Sequence, residues 1–148
     1  KLTTTRWTRT AVFCLLLLGT SMSLWNTRAI MNSVDYRPDA AMWAEISEKI
    51  GDSKVAGLTQ DYGSRLAYWG WKNITSWPTY GDLLYHDDLR GSGAGTDLEK
   101  QFANIVLTKE LFLVTDFNDL TRQPYLEEKL SSYPIFAEGN GYVIYNLR

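Results

Sequence analysis

Apolar and polar positions change period sharply along this chain, and the changes mark out its elements. Between Arg9 and Arg28 lie 18 residues without a charge, centred on Ala11-Val12-Phe13-Cys14-Leu15-Leu16-Leu17-Leu18. Four consecutive leucines leave a helix no polar face, which suits lipid better than the surface of a soluble core. At 1.5 Å per residue the run reaches the lower limit for crossing a hydrocarbon layer about 30 Å thick. Beyond it, Ala40, Ala41, Trp43, Ile46 and Ile50 recur at helical spacing, with Asp39 as a fitting N-cap and Gly51 as a stop.

The period then shortens. Residues 54–59 read as a buried strand, 60–63 as a turn, and Arg65, Leu66 and Tyr68 as part of a helix. Residues 73–77 form a second strand stopped by Pro78, followed by a short helix around 82–85 and a flexible glycine-rich stretch at 91–95. Residues 97–106 are helical, with Phe102, Ile105 and Val106 on one side. The near-continuous apolar run at 110–115 predicts a central strand covered on both faces. Asn118 is expected to cap a helix reaching about Ser132, with Pro124 near its start or kinking it. Two last strands, 135–137 and 142–145, flank Asn140-Gly141, a signal for a type I′ hairpin turn.

Alternation of this kind predicts an α/β fold: a small Rossmann-like or flavodoxin-like, mainly parallel sheet with a C-terminal β-hairpin, preceded by one transmembrane helix. The expected divisions are a basic flank at 1–9, the membrane helix at 10–27, a connector at 28–38 and the α/β domain at 39–148.

Charge sharpens this division. The first 34 residues hold Lys1, Arg6, Arg9 and Arg28 and no acid, whereas residues 35–148 hold all 17 acids against 11 Lys and Arg, a balance of −6. Three basic residues precede the apolar run, which by the positive-inside rule places the N-terminus in the cytoplasm and the domain outside it. Trp7 and Trp25 stand near the two ends, where indoles favour the membrane interface. Thr20, Ser21 and Ser23 weaken the second half of the span. A secretory signal peptide cleaved near residues 19–23 is the competing reading. A chain that opens on Lys instead of Met is expected to continue a longer polypeptide, which favours a late transmembrane helix. The acidic domain has no Lys/Arg stripe and argues against nucleic acid as a partner. Cys14, the one cysteine, lies in the apolar run and serves as a small hydrophobe.

Three stretches carry a resemblance: residues 55–63 (VAGLTQDYG) with Leu66-Ala67-Tyr68-Trp69-Gly70-Trp71, then Phe112-Leu113-Val114-Thr115-Asp116, then Tyr133 to Leu147. With the apolar helix upstream they resemble the C-terminal end of bacterial polytopic glycosyltransferases similar to the protein O-mannosyltransferase type. The resemblance implies a run of transmembrane helices followed by a small extracytoplasmic α/β domain. It also implies transfer of a sugar from a polyprenyl-phosphate donor, with the catalytic acids in a first outer loop that nothing in these residues matches. On that reading the chain is an accessory domain and its last membrane helix, with no catalytic residue of its own. Its partners would be membrane lipid, the remainder of the parent protein, and a sugar or a peptide or lipid acceptor.

In open α/β sheets ligands gather beyond the carboxyl ends of the strands. Those ends offer Gln60, Asp61 and Tyr62 after the first strand, and Thr115 and Asp116 after the central one, as candidate contacts to acceptor hydroxyls. The structural alternative is that Asp61, Asp116 and Asn118 are turn and cap residues. Trp71, after Gly70 and beside Lys72 at a helix end, is the candidate for stacking on a sugar, although Trp69, Trp77, Tyr80 and Tyr85 equally suit a core. No G-x-G-x-x-G turn follows the first strand, and residues 91–95 precede no Lys-Ser/Thr pair, so no nucleotide cofactor is expected. His86 beside Asp87 and Asp88 lacks a second soft ligand, which speaks for an exposed turn over a metal site. A Ser or Cys nucleophile would have no base in reach. The Asn73-Ile74-Thr75 sequon falls in a strand and is incidental. Two functions remain: an accessory domain of a membrane glycosyltransferase, or a single-pass anchored binding domain without activity.

Overall fold

The computed structural model of the protein describes residues 2–31, 37–90 and 97–148. The glycine-rich stretch at 91–95 lies outside them, as do the side chains of His86, Asp87 and Asp88. The chain divides into two compact units, Lys1–Pro38 and Asp39–Arg148.

The first unit contains one 30-residue helix, α1 (Leu2–Met31). Its Arg6–Arg28 segment, 23 residues with mean hydropathy 1.3, is long and apolar enough to cross a membrane. At 1.5 Å per residue it extends about 35 Å. Threonine hydroxyls along the span, Thr20 among them, are bonded inside the helix. Thr20 Oγ1 donates to the carbonyls of Leu16 at 2.8 Å and Leu17 at 3.0 Å, Thr10 Oγ1 to Arg6 at 3.0 Å, and Thr27 Oγ1 to Ser23 at 2.9 Å. Such back-bonds remove the cost of presenting a bare hydroxyl to hydrocarbon.

The second unit is built on a five-stranded sheet in the order β2-β1-β3-β5-β4. Its strands are β1 (Val55–Leu58), β2 (Thr75–Ser76), β3 (Leu111–Val114), β4 (Ile135–Gly139) and β5 (Tyr142–Asn146). The helices are α2 (Arg37–Ile50), α3 (Ser64–Gly70), α4 (Tyr80–Arg90), α5 (Leu98–Val106), α6 (Phe117–Leu120) and α7 (Pro124–Ser131), with a 3-10 turn at Gln60–Gly63. Strand β1 runs parallel to β2 and β3, whereas β5 is antiparallel to both β3 and β4. The sheet is therefore mixed, parallel in its first three strands and antiparallel in its C-terminal part, not mainly parallel as the alternation suggests. The two-residue loop forces β4 and β5 to pair antiparallel, and β5 then packs antiparallel beside β3.

Strands β1 and β3 are buried at every position, so their alternating side chains feed two cores. Val55, Leu111, Leu113, Tyr142 and Ile144 meet Trp43, Ile46 and Ile50 of α2 and Leu66 of α3 on one face. Ala56, Leu58, Phe112 and Val114 meet Trp77, Phe102 of α5, Leu120, and Leu126 and Leu130 of α7 on the other. Gly57 lies where the strands come closest: a Cβ there would overlap the Leu113 carbonyl oxygen, so only glycine keeps this register. Gly70 plays the same part between helices. It sits against Trp43 and Ser47 of α2, and its carbonyl accepts from Ser47 Oγ at 2.5 Å.

Three local expectations are corrected. The helix expected from Asn118 to Ser132 is two helices, α6 and α7, separated at Thr121–Gln123 because Pro124 starts the second at its first turn. Its cap is Asp116, whose carboxylate accepts from Asp119 N at 3.0 Å, while Asn118 lies inside α6. In the Asn140-Gly141 turn only Gly141 has positive φ (90°), which excludes type I′ with its two left-handed residues.

Tyr142 ties the hairpin to α2. Its ring is fully buried over Gly139, where a Cβ would strike it, and its Oη donates to Glu45 Oε1 at 2.6 Å. Burial, then the hydrogen bond to Glu45 and that group's charge, push the phenol up from its ordinary 10 to about 12. The unfolded chain gives up this proton first, so the stabilising contribution is complete below pH 10 and is lost as pH rises through 12. Urea unfolding of the detergent-solubilised chain should weaken steadily between pH 10 and 12. Tyr142→Phe should remove that part of the pH dependence, and an unchanged profile in the variant would contradict the assignment.

Candidate functional site

The parallel half of the sheet defines where a ligand could sit. From β1 the chain crosses by α3 to β2 on one side. It then returns past β1, by way of α4 and α5, to β3 on the other. In α/β sheets a reversal of this kind is where ligands bind, beyond the carboxyl ends of the two central strands. The backbone N–H groups of Thr115 and Asp116 donate to Leu58 O at 3.0 and 3.4 Å, which draws the two strand ends together.

Five of the six candidate contacts meet at this edge, and most of their polar atoms are used within the domain. Arg65 on α3 gathers three acceptors: its Nε donates to Asp61 Oδ2 at 2.7 Å, and its Nη1 to Asp39 Oδ2 at 2.9 Å and Gln60 Oε1 at 3.2 Å. Tyr62 Oη donates to Asp82 Oδ1 at 3.1 Å. Asp116 caps α6. Thr115 is buried, as is Thr59 at the end of β1, and neither hydroxyl has a hydrogen-bond partner among the described residues. Trp71 is not part of this group. It stands at the other end of α3, where the next residue, Lys72, reaches Asp52 ahead of β1 at 3.3 Å.

The turn after β1 is conformationally unusual. Asp61 and Tyr62 both have φ 55°, and Gly63 follows at 81°. Left-handed backbone costs a non-glycine residue about 1–2 kcal/mol, and the surroundings must hold it. The Arg65–Asp61 and Tyr62–Asp82 contacts do so. Gly63 cannot carry a side chain, since a Cβ would lie 2.6 Å from Ile74 Cγ1.

Residues that the sequence did not single out complete the edge. Asp82 Oδ2 accepts from Thr79 N at 2.9 Å and Thr79 Oγ1 at 2.8 Å, closing the first turn of α4. Asp119 accepts from Tyr80 N at 3.2 and 3.0 Å and from Gln123 Nε2 at 2.8 Å. The buried Gln123 also donates to Pro78 O at 3.2 Å, and its Oε1 accepts from the buried Trp77 indole N–H at 2.7 Å. The signals existed: Thr79-Tyr80-Gly81-Asp82 has the spacing of a capping box, and Asp119 and Gln123 are one helical turn apart.

Asp61, Asp82, Asp116 and Asp119 make the edge acidic, and Arg65, the cation described among them, is already engaged. That field disfavours phosphate and suits an uncharged, hydroxyl-bearing ligand. Among the described residues no three His, Cys, Asp or Glu side chains are grouped to hold a metal ion.

Two substitutions separate structural from ligand-facing groups. Gln123→Ala strands a buried indole N–H and should cost about 1–3 kcal/mol in urea unfolding. Thr59→Val and Thr115→Val remove hydroxyls that no described residue satisfies, so each should be neutral or stabilising by up to about 1 kcal/mol. A clear loss of stability in either valine variant would mean that the hydroxyl has a structural partner. Comparison with protein families, with curated proteins and with solved structures finds no match to the chain.

Proposed function

We propose that the chain is an extracytoplasmic accessory domain with its membrane helix, serving an integral-membrane glycosyltransferase that takes its sugar from a polyprenyl-phosphate donor. The observation that carries the reading is α1. Its Arg6–Arg28 segment is apolar and membrane-length, with threonine hydroxyls bonded internally and basic residues toward its N-terminus. The enzyme class rests on the resemblance of residues 55–71, 112–116 and 133–147. The β2-β1-β3 order matches the start of a flavodoxin-like sheet, which supports the finer fold assignment. In this role the strand-end edge contacts an acceptor by its hydroxyls, and the chemistry belongs to the parent protein.

Topology is tested first. In a Cys14→Ser chain in right-side-out vesicles, Lys100→Cys should react with a membrane-impermeant maleimide and Leu15→Cys should not. Reaction at Lys100→Cys only after permeabilisation would reverse the orientation. In a parent enzyme, deletion of residues 39–148 should impair acceptor use, whereas Asp61→Asn and Asp116→Asn should each leave sugar transfer mostly intact. Complete loss from either single change, with folding preserved, would put the chemistry in this domain. A reading frame that starts just before Lys1 would leave a single-pass anchored binding domain instead.

A further inference from the structure

Three buried polar groups lie on one face of the sheet. Thr59 is still extended, at φ −131° and ψ 151°, so it shares the face of Val55, just as Thr115 shares that of Leu111 and Leu113. Thr59 (2 % exposed) and Thr115 (8 % exposed) therefore stand side by side on the α2/α3 face, one step beyond the paired Leu58 and Val114. Trp43 of α2 packs on the same face, four residues after the Asp39 that pairs with Arg65. Neither threonine hydroxyl nor the Trp43 indole N–H has a hydrogen-bond partner among the described residues. Buried polar groups left without partners cost stability, which a ligand that reaches them restores. Neighbouring strands lie about 4.8 Å apart, so one ligand oxygen can reach both hydroxyls.

The Gln60–Gly63 turn closes over this pair. A Cβ on Gly63 would lie 3.6 Å from Thr59 Oγ1, which puts the backbone of the turn against that hydroxyl. Asp61 and Tyr62 are held on left-handed backbone, which a Cβ disfavours. The contacts that hold them face water: Arg65 Nε with Asp61 Oδ2 at 2.7 Å, and Tyr62 Oη with Asp82 Oδ1 at 3.1 Å, where the Tyr62 side chain is 58 % exposed. Solvent competes for both contacts, so they form a weak latch on a strained turn.

We propose that the Gln60–Gly63 turn is a lid, and that it swings off Thr59 and Thr115 to let the two hydroxyls bind a ring hydroxyl of an uncharged sugar. The proposal rests on the reading of the strand-end edge as the contact for an acceptor. A sugar hydroxyl both donates and accepts, as the threonines do, and the carboxylates of Asp61, Asp82, Asp116 and Asp119 turn an anion away. Opening releases the strain at Asp61 and Tyr62, and the ligand's hydrogen bonds offset the broken latch. Binding of this kind selects the open chains. The apparent dissociation constant is the intrinsic one divided by the open fraction, so a weaker latch must tighten binding.

The test uses the full detergent-solubilised chain with Cys14→Ser. Thr59→Cys and Thr115→Cys are labelled with methyl methanethiosulfonate, and Val114→Cys, on the opposite face, reports unfolding of the whole domain. Tyr62→Phe removes the bond to Asp82 and keeps the ring. It should speed labelling at 59 and 115 about threefold and leave the rate at 114 unchanged. With both threonines intact, Tyr62→Phe should lower the dissociation constant for methyl α-D-glucopyranoside or methyl α-D-mannopyranoside by the same factor, read by saturation-transfer NMR. Thr59→Val combined with Thr115→Val should abolish that signal. Labelling at 59 and 115 that does not rise, or rises only in step with 114, would overturn the lid, whereas acceptor use by the parent enzyme still tests the edge itself. Faster labelling at 59 and 115 with no binding of either glycoside, or with binding that ignores Tyr62→Phe, would keep the lid and overturn the sugar as its ligand.

Discussion

The domain depends on the side-by-side burial of β1 and β3. Both strands are covered on two faces, so each side chain must match either the α2/α3 core or the α5/α7 core, and a slip of one residue would exchange them. Gly57 fixes the register, because its missing Cβ is what allows the Leu113 carbonyl to approach. Once this pair is set, the remaining choices narrow. Helices must cover both faces, β2 can add only outside β1, and the C-terminal hairpin closes against the free side of β3.

The same pairing creates the strand-end edge. Two central strands that end together, with their connections leaving on opposite faces, bring the 3-10 turn, the start of α4 and the start of α6 into one neighbourhood. Most polar groups there are consumed in holding the turns: Asp82 and Asp116 close helix starts, and Asp119 and Gln123 link β2's exit to α6. The buried hydroxyls of Thr59 and Thr115 are the exceptions. The edge is mainly a structural clasp, with a small polar remainder available to a ligand.

Much of the fold was legible in the sequence because period and burial agree there. The apolar run at 110–115 became the doubly buried β3, and the alternation of short strands with helices became the layered unit. Parallel and antiparallel pairing was less legible, because loop length fixes the hairpin but the position of β5 beside β3 depends on tertiary packing. The 118–132 helix was misread as one element where Pro124 starts a second helix, and the hairpin turn where Asn140 lacks positive φ. At the candidate edge, topology brought Gln60, Asp61, Tyr62, Thr115 and Asp116 together as strand ends must, and left Trp71 at the opposite end of α3. Arg65, Asp119 and Gln123 were not legible as a network, since besides neighbours within five residues their partners lie 26 to 46 residues away in the chain.

The anchor is the claim on which localisation and proposed role both stand. It is tested most directly by washing membranes that contain the full chain with alkaline carbonate and floating them through a density gradient. An α1 that crosses the bilayer keeps the protein with the floated lipid even as the domain loosens at high pH. Recovery of intact chain in the soluble fraction would contradict the account.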